Sequence, residues 1–283
     1  MSTKAFSHSS FQPTIISLTY ATLSFHKGDT IRLVSFPQPI IVSIESLIKR
    51  IHPSGIQSSG PCGSAFDYKL KGRPFGEHYL LEDYVNGIRI VRDILALLAE
   101  SNWELVAQPL CSTRHTAKDT LIFRRREPPR QVVDREFLAL VPMRHDKLRI
   151  VYDVDGIELP SSGYEVTPDL GHIGTIIAEL RQMLFEMDYF DEAHWSYESF
   201  EFTMKGSPWR SSGEESIKKG VLLLRLLEAM ETVGWRLHTT FVHKTGTDRE
   251  NNLDTWFFVR ERRANRGGKG SETSSLTAVA TCK

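Results

Sequence analysis

The feature that most constrains this chain is a repeat within its own sequence. Phe66-Asp67-Tyr68-Lys69-Leu70-Lys71-Gly72-Arg73-Pro74-Phe75 returns 134 positions later as Phe200-Glu201-Phe202-Thr203-Met204-Lys205-Gly206-Ser207-Pro208-Trp209. Asn102-Trp103-Glu104-Leu105 returns after 132 positions as Gly234-Trp235-Arg236-Leu237. Asp119-Thr120-Leu121-Ile122-Phe123 returns after 135 as Asp254-Thr255-Trp256-Phe257-Phe258. Three separated blocks at nearly one offset mark an internal duplication, which sets the architecture before any single element does.

The 283 residues then divide into two units of roughly 125 residues, each large enough to bury a core. The expected division is repeat 1 over 13–127, a linker over 128–135 and repeat 2 over 136–263. Glu127-Pro128-Pro129-Arg130 suits the linker, because two prolines disfavour helix and hold the chain extended. Residues 1–12 and 264–283 lack apolar periodicity and read as disordered tails.

Each repeat reads as β-α-β-α-β-β. Asp29–Val34 and Asp146–Val151 alternate apolar and polar residues, as a half-buried strand does. Ile41, Ile44, Leu47, Ile48 and Ile51 keep the spacing of one buried helix face, and Ile173, Ile176, Ile177, Leu180, Met183 and Leu184 repeat it. A strand ending at Lys-Gly-x-Pro follows in both repeats. A second helix follows that strand, with Ile88, Val91, Ile94, Leu95 and Leu98 on one face and Arg89, Arg92 and Asp93 elsewhere. Its partner runs from about Glu214, behind a Ser-Ser-Gly-Glu start, to Val233, with Gly234 placed as a C-terminal cap. Two strands close each unit. The expected class is α+β, with mixed or antiparallel sheets that carry helices on one face. Duplicated units of this kind can associate about a pseudo-twofold axis. The second repeat also carries about 17 more residues between its opening strand and the Lys-Gly-x-Pro block.

Composition narrows the function classes. Lysine plus arginine equals aspartate plus glutamate, 35 each, so no global field draws the molecule to nucleic acid or to a membrane. Cys62, Cys111 and Cys282 have no pairing or zinc-ligand spacing and read as reduced thiols in an intracellular protein, cytoplasmic or nuclear. The start of the chain has no continuous apolar segment of a secretory signal, and the longest apolar run is too short to span a bilayer. No phosphate loop, Gly-x-Ser-x-Gly elbow or His-x-x-x-His pattern occurs, so the sequence names no cofactor, no metal and no catalytic residue, and argues more against an enzyme than for one.

The candidate binding residues are of two kinds. Lys71, Arg73 and Phe75, with Lys205 and Trp209, would set a cation and an aromatic platform on the two Lys-Gly-x-Pro loops, although such loops are first of all backbone turns. Arg124, Arg125 and Arg126, with Arg260, Arg262 and Arg263, close the two repeats as basic clusters able to neutralise phosphates. The leading expectation is a non-enzymatic accessory or scaffold protein acting through protein contacts. The alternative is a nucleic-acid-binding module that uses the arginines.

The Lys-Gly-x-Pro-Trp turn, the Gly-Glu-Glu helix start, the Gly-Trp corner and the Asp-Thr-x-x-Phe strand resemble those of tandem-repeat proteins of filamentous fungi. The resemblance covers Phe200–Arg260 and, more loosely, Phe66–Arg125. It implies an accessory factor rather than a housekeeping enzyme. Phe75 in place of tryptophan, and Gly76-Glu77-His78 in place of the acidic helix start, imply that the halves differ in function.

Overall fold

The structure is a computed structural model that describes residues 17–76, 81–109, 120–127, 134–153, 170–210, 212–241 and 253–262. Both repeats follow one plan, β-β-α-β-β-α-β-β. The first comprises β1 (Ser17–His26), β2 (Thr30–Val34), α1 (Gln38–Ile51), β3 (Ile56–Cys62), β4 (Ala65–Leu70), α2 (Leu81–Glu100), β5 (Trp103–Ala107) and β6 (Thr120–Glu127). The second comprises β7 (Arg135–Met143), β8 (Lys147–Val151), α3 (Gly171–Glu186), β9 (Phe190–Ser196), β10 (Ser199–Met204), α4 (Glu215–Thr232), β11 (Arg236–Phe241) and β12 (Thr255–Glu261). The class is α+β with a duplicated module. Each module has two more strands than the order β-α-β-α-β-β: β1 and β7 at its start, and β3 and β9 before the Lys-Gly-x-Pro strand.

The strands form two separate six-stranded antiparallel sheets. Sheet 1 runs β3-β4-β2-β1-β6-β5, and sheet 2 runs β9-β10-β8-β7-β12-β11, the same order element for element. The duplication extends to single backbone hydrogen bonds. Leu70 N–H donates to Asp29 O at 2.7 Å, as Met204 does to Asp146 at 2.8 Å. Phe75 N–H donates to Gly28 O at 2.9 Å, as Trp209 does to His145 at 3.2 Å. These bonds pin the end of the Lys-Gly-x-Pro strand to the hairpin that opens each module.

The helix faces lie as the spacing predicts. Ile44, Ile48, Ile88, Val91 and Leu95 pack on sheet 1, and Ile176, Ile177, Leu180, Leu222 and Leu226 pack on sheet 2. Gly234 ends α4 at φ +83°, with Trp235 N–H donating to Met230 O and Gly234 N–H to Glu231 O, a Schellman closure. The serine cap expected at the start of α4 is absent: Glu214 occupies the cap without a side-chain hydrogen bond, and Ser216 Oγ donates to Gly213 O instead.

The modules do not meet through one shared face, as a pseudo-twofold pair would. The helix layer of module 1 lies against the back of sheet 2, with α2 crossing β7 and β8. Sheet 2 is therefore buried on both sides. Leu138, Leu140, Leu148 and Phe202 face α3 and α4, while Phe137, Ala139, Val141 and Phe257 join the core of module 1. The stack runs sheet 1, α1–α2, sheet 2, α3–α4. Burial of one such large apolar side chain contributes about 1.5–3 kcal/mol, so this seam is a strong one. It also explains why α2 buries residues from its polar side. Asn86 and Arg92 are each 5% exposed, and Arg89 reaches across to the second module.

Candidate functional site

The two Lys-Gly-x-Pro loops are turns whose aromatic residues point inward. Gly72 and Gly206 take φ of +75° and +73°, conformations that strain a residue bearing a Cβ. Phe75 is fully buried, with its ring 4.9 Å from that of Phe25. Trp209 is buried too and donates from Nε1 to Lys147 O at 2.7 Å. Neither ring offers a surface to a ligand. Lys71, Arg73 and Lys205 are exposed. The Lys71 carbonyl is hydrogen-bonded to His52 Nε2 at 2.7 Å, and Lys205 Nζ donates to Asp188 at 2.6 Å.

The arginine clusters are paired with carboxylates. Arg124 donates to Glu104 at 2.7 Å, and Arg125 lies 3.7 Å from Glu127. Arg260 and Arg262 converge on Glu136, Arg262 from Nε at 2.7 Å, and the Arg260 guanidinium lies 5.0 Å above the Trp235 ring. Burial opposes ionisation of Glu136, yet the hydrogen bonds from Arg262 and Arg260 outweigh it and hold the carboxyl below the usual range. The same hydrogen bond raises Arg262. The pairing does not recur in module 1, where Thr19 stands opposite Arg125 as Glu136 stands opposite Arg260. The side chain of Arg126, and Arg263 altogether, lie outside the described residues.

One cleft follows the seam between the modules, and a second, lined by module 2 alone, adjoins it at Glu136 and Arg262. The first, of about 460 Å³, is bounded by Arg50, Arg92, Asp93, Arg135, Glu136 and Tyr152 among others. Its neighbour, of about 860 Å³, includes His172, Arg236, Arg260 and Arg262. The walls mix both signs of charge, and the charges largely engage one another. Arg92 binds Asp93, Arg50 lies 3.8 Å from Asp93, and Arg262 lies 3.6 Å from Asp134. Such a lining closes a module boundary without singling out one ligand charge. Among the described residues, no group of three or more His, Cys, Asp or Glu is placed to hold a metal ion. Nor is any described helix long and apolar enough to cross a membrane.

Sequence reasoning missed the surface that is chemically most unusual. Ile217, Val221 and Leu224, spaced i, i+4, i+7 on α4, are 69%, 47% and 61% exposed, and Phe185 on α3 is 69% exposed. They form an apolar outer face on the α3–α4 layer at the end of the stack, the kind of face that marks a contact site. A shallow groove of about 540 Å³ between α3 and β9 is lined by Ala178, Arg181, Gln182, Phe185 and Phe190, with Arg181 over the Phe190 ring at 5.0 Å. The signal was present in the run Val221-Leu222-Leu223-Leu224, in which apolar residues on every side of a helix exceed what one sheet can cover.

This geometry defines a class: a tandem pair of α+β modules stacked front to back, with one helix layer left uncovered by any other described element. One domain-family model matches the chain twice, over residues 19–124 and 136–259, and the chain belongs to that family with two copies of its domain. No curated protein and no solved structure matches the chain.

Proposed function

We infer that this chain is a non-enzymatic accessory or scaffold protein that works through protein–protein contacts, with the outer face of α3 and α4 as its contact surface. The observation that carries this reading is the exposed apolar stripe of Ile217, Val221 and Leu224 beside Phe185. Leaving such side chains in water forgoes about 25 cal/mol for each Å² that a partner would cover. Cysteines without pairing partners in sequence suit a reducing compartment, so the chain acts in the cytoplasm or nucleus. The alternative, a nucleic-acid-binding module, would draw on Arg124 to Arg126 and Arg260 to Arg263. Four of these six, Arg124, Arg125, Arg260 and Arg262, already have carboxylate partners, which weighs toward protein contact.

The test is affinity capture of the tagged chain, wild type and Ile217→Asp/Leu224→Asp, each with and without nuclease. A protein partner that survives nuclease and is lost from the variant supports the reading. A partner lost on nuclease treatment and retained by the variant overturns it in favour of the arginines.

A further inference from the structure

The internal seam has two halves, a helix layer that docks and a sheet back that receives it. Both recur at the ends of the stack, where no element among the described residues covers them. Val85, Arg89 and Arg92 lie along the side of α2 turned toward sheet 2. Arg89 donates to the carbonyls of Tyr197 and Glu198 at 2.9 Å each, in the β9–β10 turn, and Arg92 lines the seam beside Phe137. Adding 132, the offset that takes buried Trp103 to buried Trp235, gives 85 + 132 = 217, 89 + 132 = 221 and 92 + 132 = 224. The exposed stripe on α4 thus occupies the docking positions of α2.

The receiving face repeats as well. Phe137 on β7 pairs with Val259, as Tyr20 on β1 pairs with Arg124, so Tyr20 holds the place of the aromatic on which module 1 rests. Tyr20 is 51% exposed, and Leu18, on the same side of β1, is 46% exposed. The ion pair Arg32–Asp67 on this face corresponds in register to Arg149–Glu201 on the back of sheet 2.

We propose that copies of this chain associate head to tail, the α3–α4 face of one copy seated on the back of sheet 1 of the next. The proposal rests on the protein-contact reading and names the partner. It continues between molecules the interface that already exists within one. The contact is heterologous, because different surfaces meet, so it does not close on two copies but adds further ones. It is also weaker than the internal seam. Thr22, Ser24 and His26 stand where sheet 2 has Ala139, Val141 and Met143, so less apolar surface is covered and assembly depends on concentration.

The experiment is sedimentation velocity of the purified full chain over a range of concentrations. Three samples are needed: wild type, Ile217→Asp/Leu224→Asp with a blocked helix end, and Leu18→Lys/Tyr20→Asp with a blocked sheet end. The wild type should grow past two subunits as concentration rises. Each variant should remain monomeric alone, since every copy lacks one half of the contact. Mixed, the two variants should form a one-to-one complex through the pair of intact ends. A circular dichroism melt confirms that each is folded. If a variant does not fold, the single changes Leu224→Asp and Tyr20→Asp replace it in the same mixing design. A wild type that stays monomeric throughout, or stops at a dimer indifferent to Tyr20, overturns the proposal. A monomer that still captures a nuclease-resistant protein through Ile217 and Leu224 would leave the protein-contact reading standing while removing self-assembly.

Discussion

Arg149 and Glu201 form an ion pair across β8 and β10 in which Arg149 is wholly buried, whereas the corresponding pair across β2 and β4, Arg32 with Asp67, lies at the surface. The side chains are 0% and 10% exposed in the first pair and 34% and 22% in the second. One duplicated interaction has acquired two environments, because the back of sheet 2 is covered by the helix layer of module 1 while, among the described residues, no element covers the back of sheet 1.

The two pairs should therefore respond differently to the same change. Arg149→Met leaves buried Glu201 with Lys147 at 3.3 Å and the His194 ring at 3.9 Å in place of its main partner, and should cost about 3–5 kcal/mol. Replacing both members by methionine should recover much of that loss. Arg32→Met should cost about 0–1 kcal/mol, since water screens an exposed pair. Urea midpoints at unchanged m-value measure all three.

Two helical glycines should give opposite signs. A Cβ on Gly87 would meet the Pro74 carbonyl oxygen at 2.4 Å, closer than backbone can tolerate, so α2 must shift off the Lys-Gly-x-Pro turn. Gly87→Ala should destabilise by about 1–3 kcal/mol. Gly220 on α4 has nothing within 4 Å of that position. Gly220→Ala should stabilise by about 0.5–1 kcal/mol through helix propensity. Thermal melts of the two single variants suffice.

His238 should make the fold acid-sensitive. Burial against Phe137, with the charges of Arg135 and Arg236 near, lowers its pKa to about 4. Unfolded, it takes a proton near pH 6.5. Between those values the unfolded chain binds a proton that the folded chain refuses, so stability is full above about pH 6.5 and falls as pH drops toward 4. The loss is on the order of 2 kcal/mol. His238→Phe should flatten this part of the pH profile measured by denaturation.

Glu136 acts on a lower part of the same profile. Its depressed pKa means that its contribution is present above the ordinary carboxylate pKa and vanishes as pH falls through the folded value. Glu136→Gln should cost about 1–3 kcal/mol at neutral pH, by leaving Arg260 and Arg262 without their shared charge. The gap between variant and wild type should close in acid.

Much of this fold was legible where a side chain serves one module. Isoleucine and leucine spacing placed α1, α2 and α3, while the Ser-Ser-Gly-Glu start and Gly234 bounded α4. The strands that escaped notice had composition working against them. β3 (Ile56–Cys62) contains serines, a glycine and a proline, and β9 (Phe190–Ser196) contains two acids and a histidine. Both are edge strands, and an edge needs no apolar alternation to be held by one neighbour. β7 (Arg135–Met143) lost its alternation for the opposite reason: apolar on both sides, it reads as a continuous run because both its faces are covered. The loop aromatics and arginines drew attention as a ligand site because their types suit one. The structure instead puts Phe75 and Trp209 in the core and Arg260 on Glu136. The stripe on α4 shows itself only when each helix residue is asked what covers it.

The core that begins under sheet 1 does not stop at the end of module 1, for Phe137, Val141 and Phe257 belong to it. A cut made at the sequence boundary would thus divide one core rather than separate two. The second half, freed, would present a bare apolar sheet to water, while the first would lose the floor beneath its helices. What was copied as one plan twice over is joined, through this stacking, into a body that should melt in a single transition.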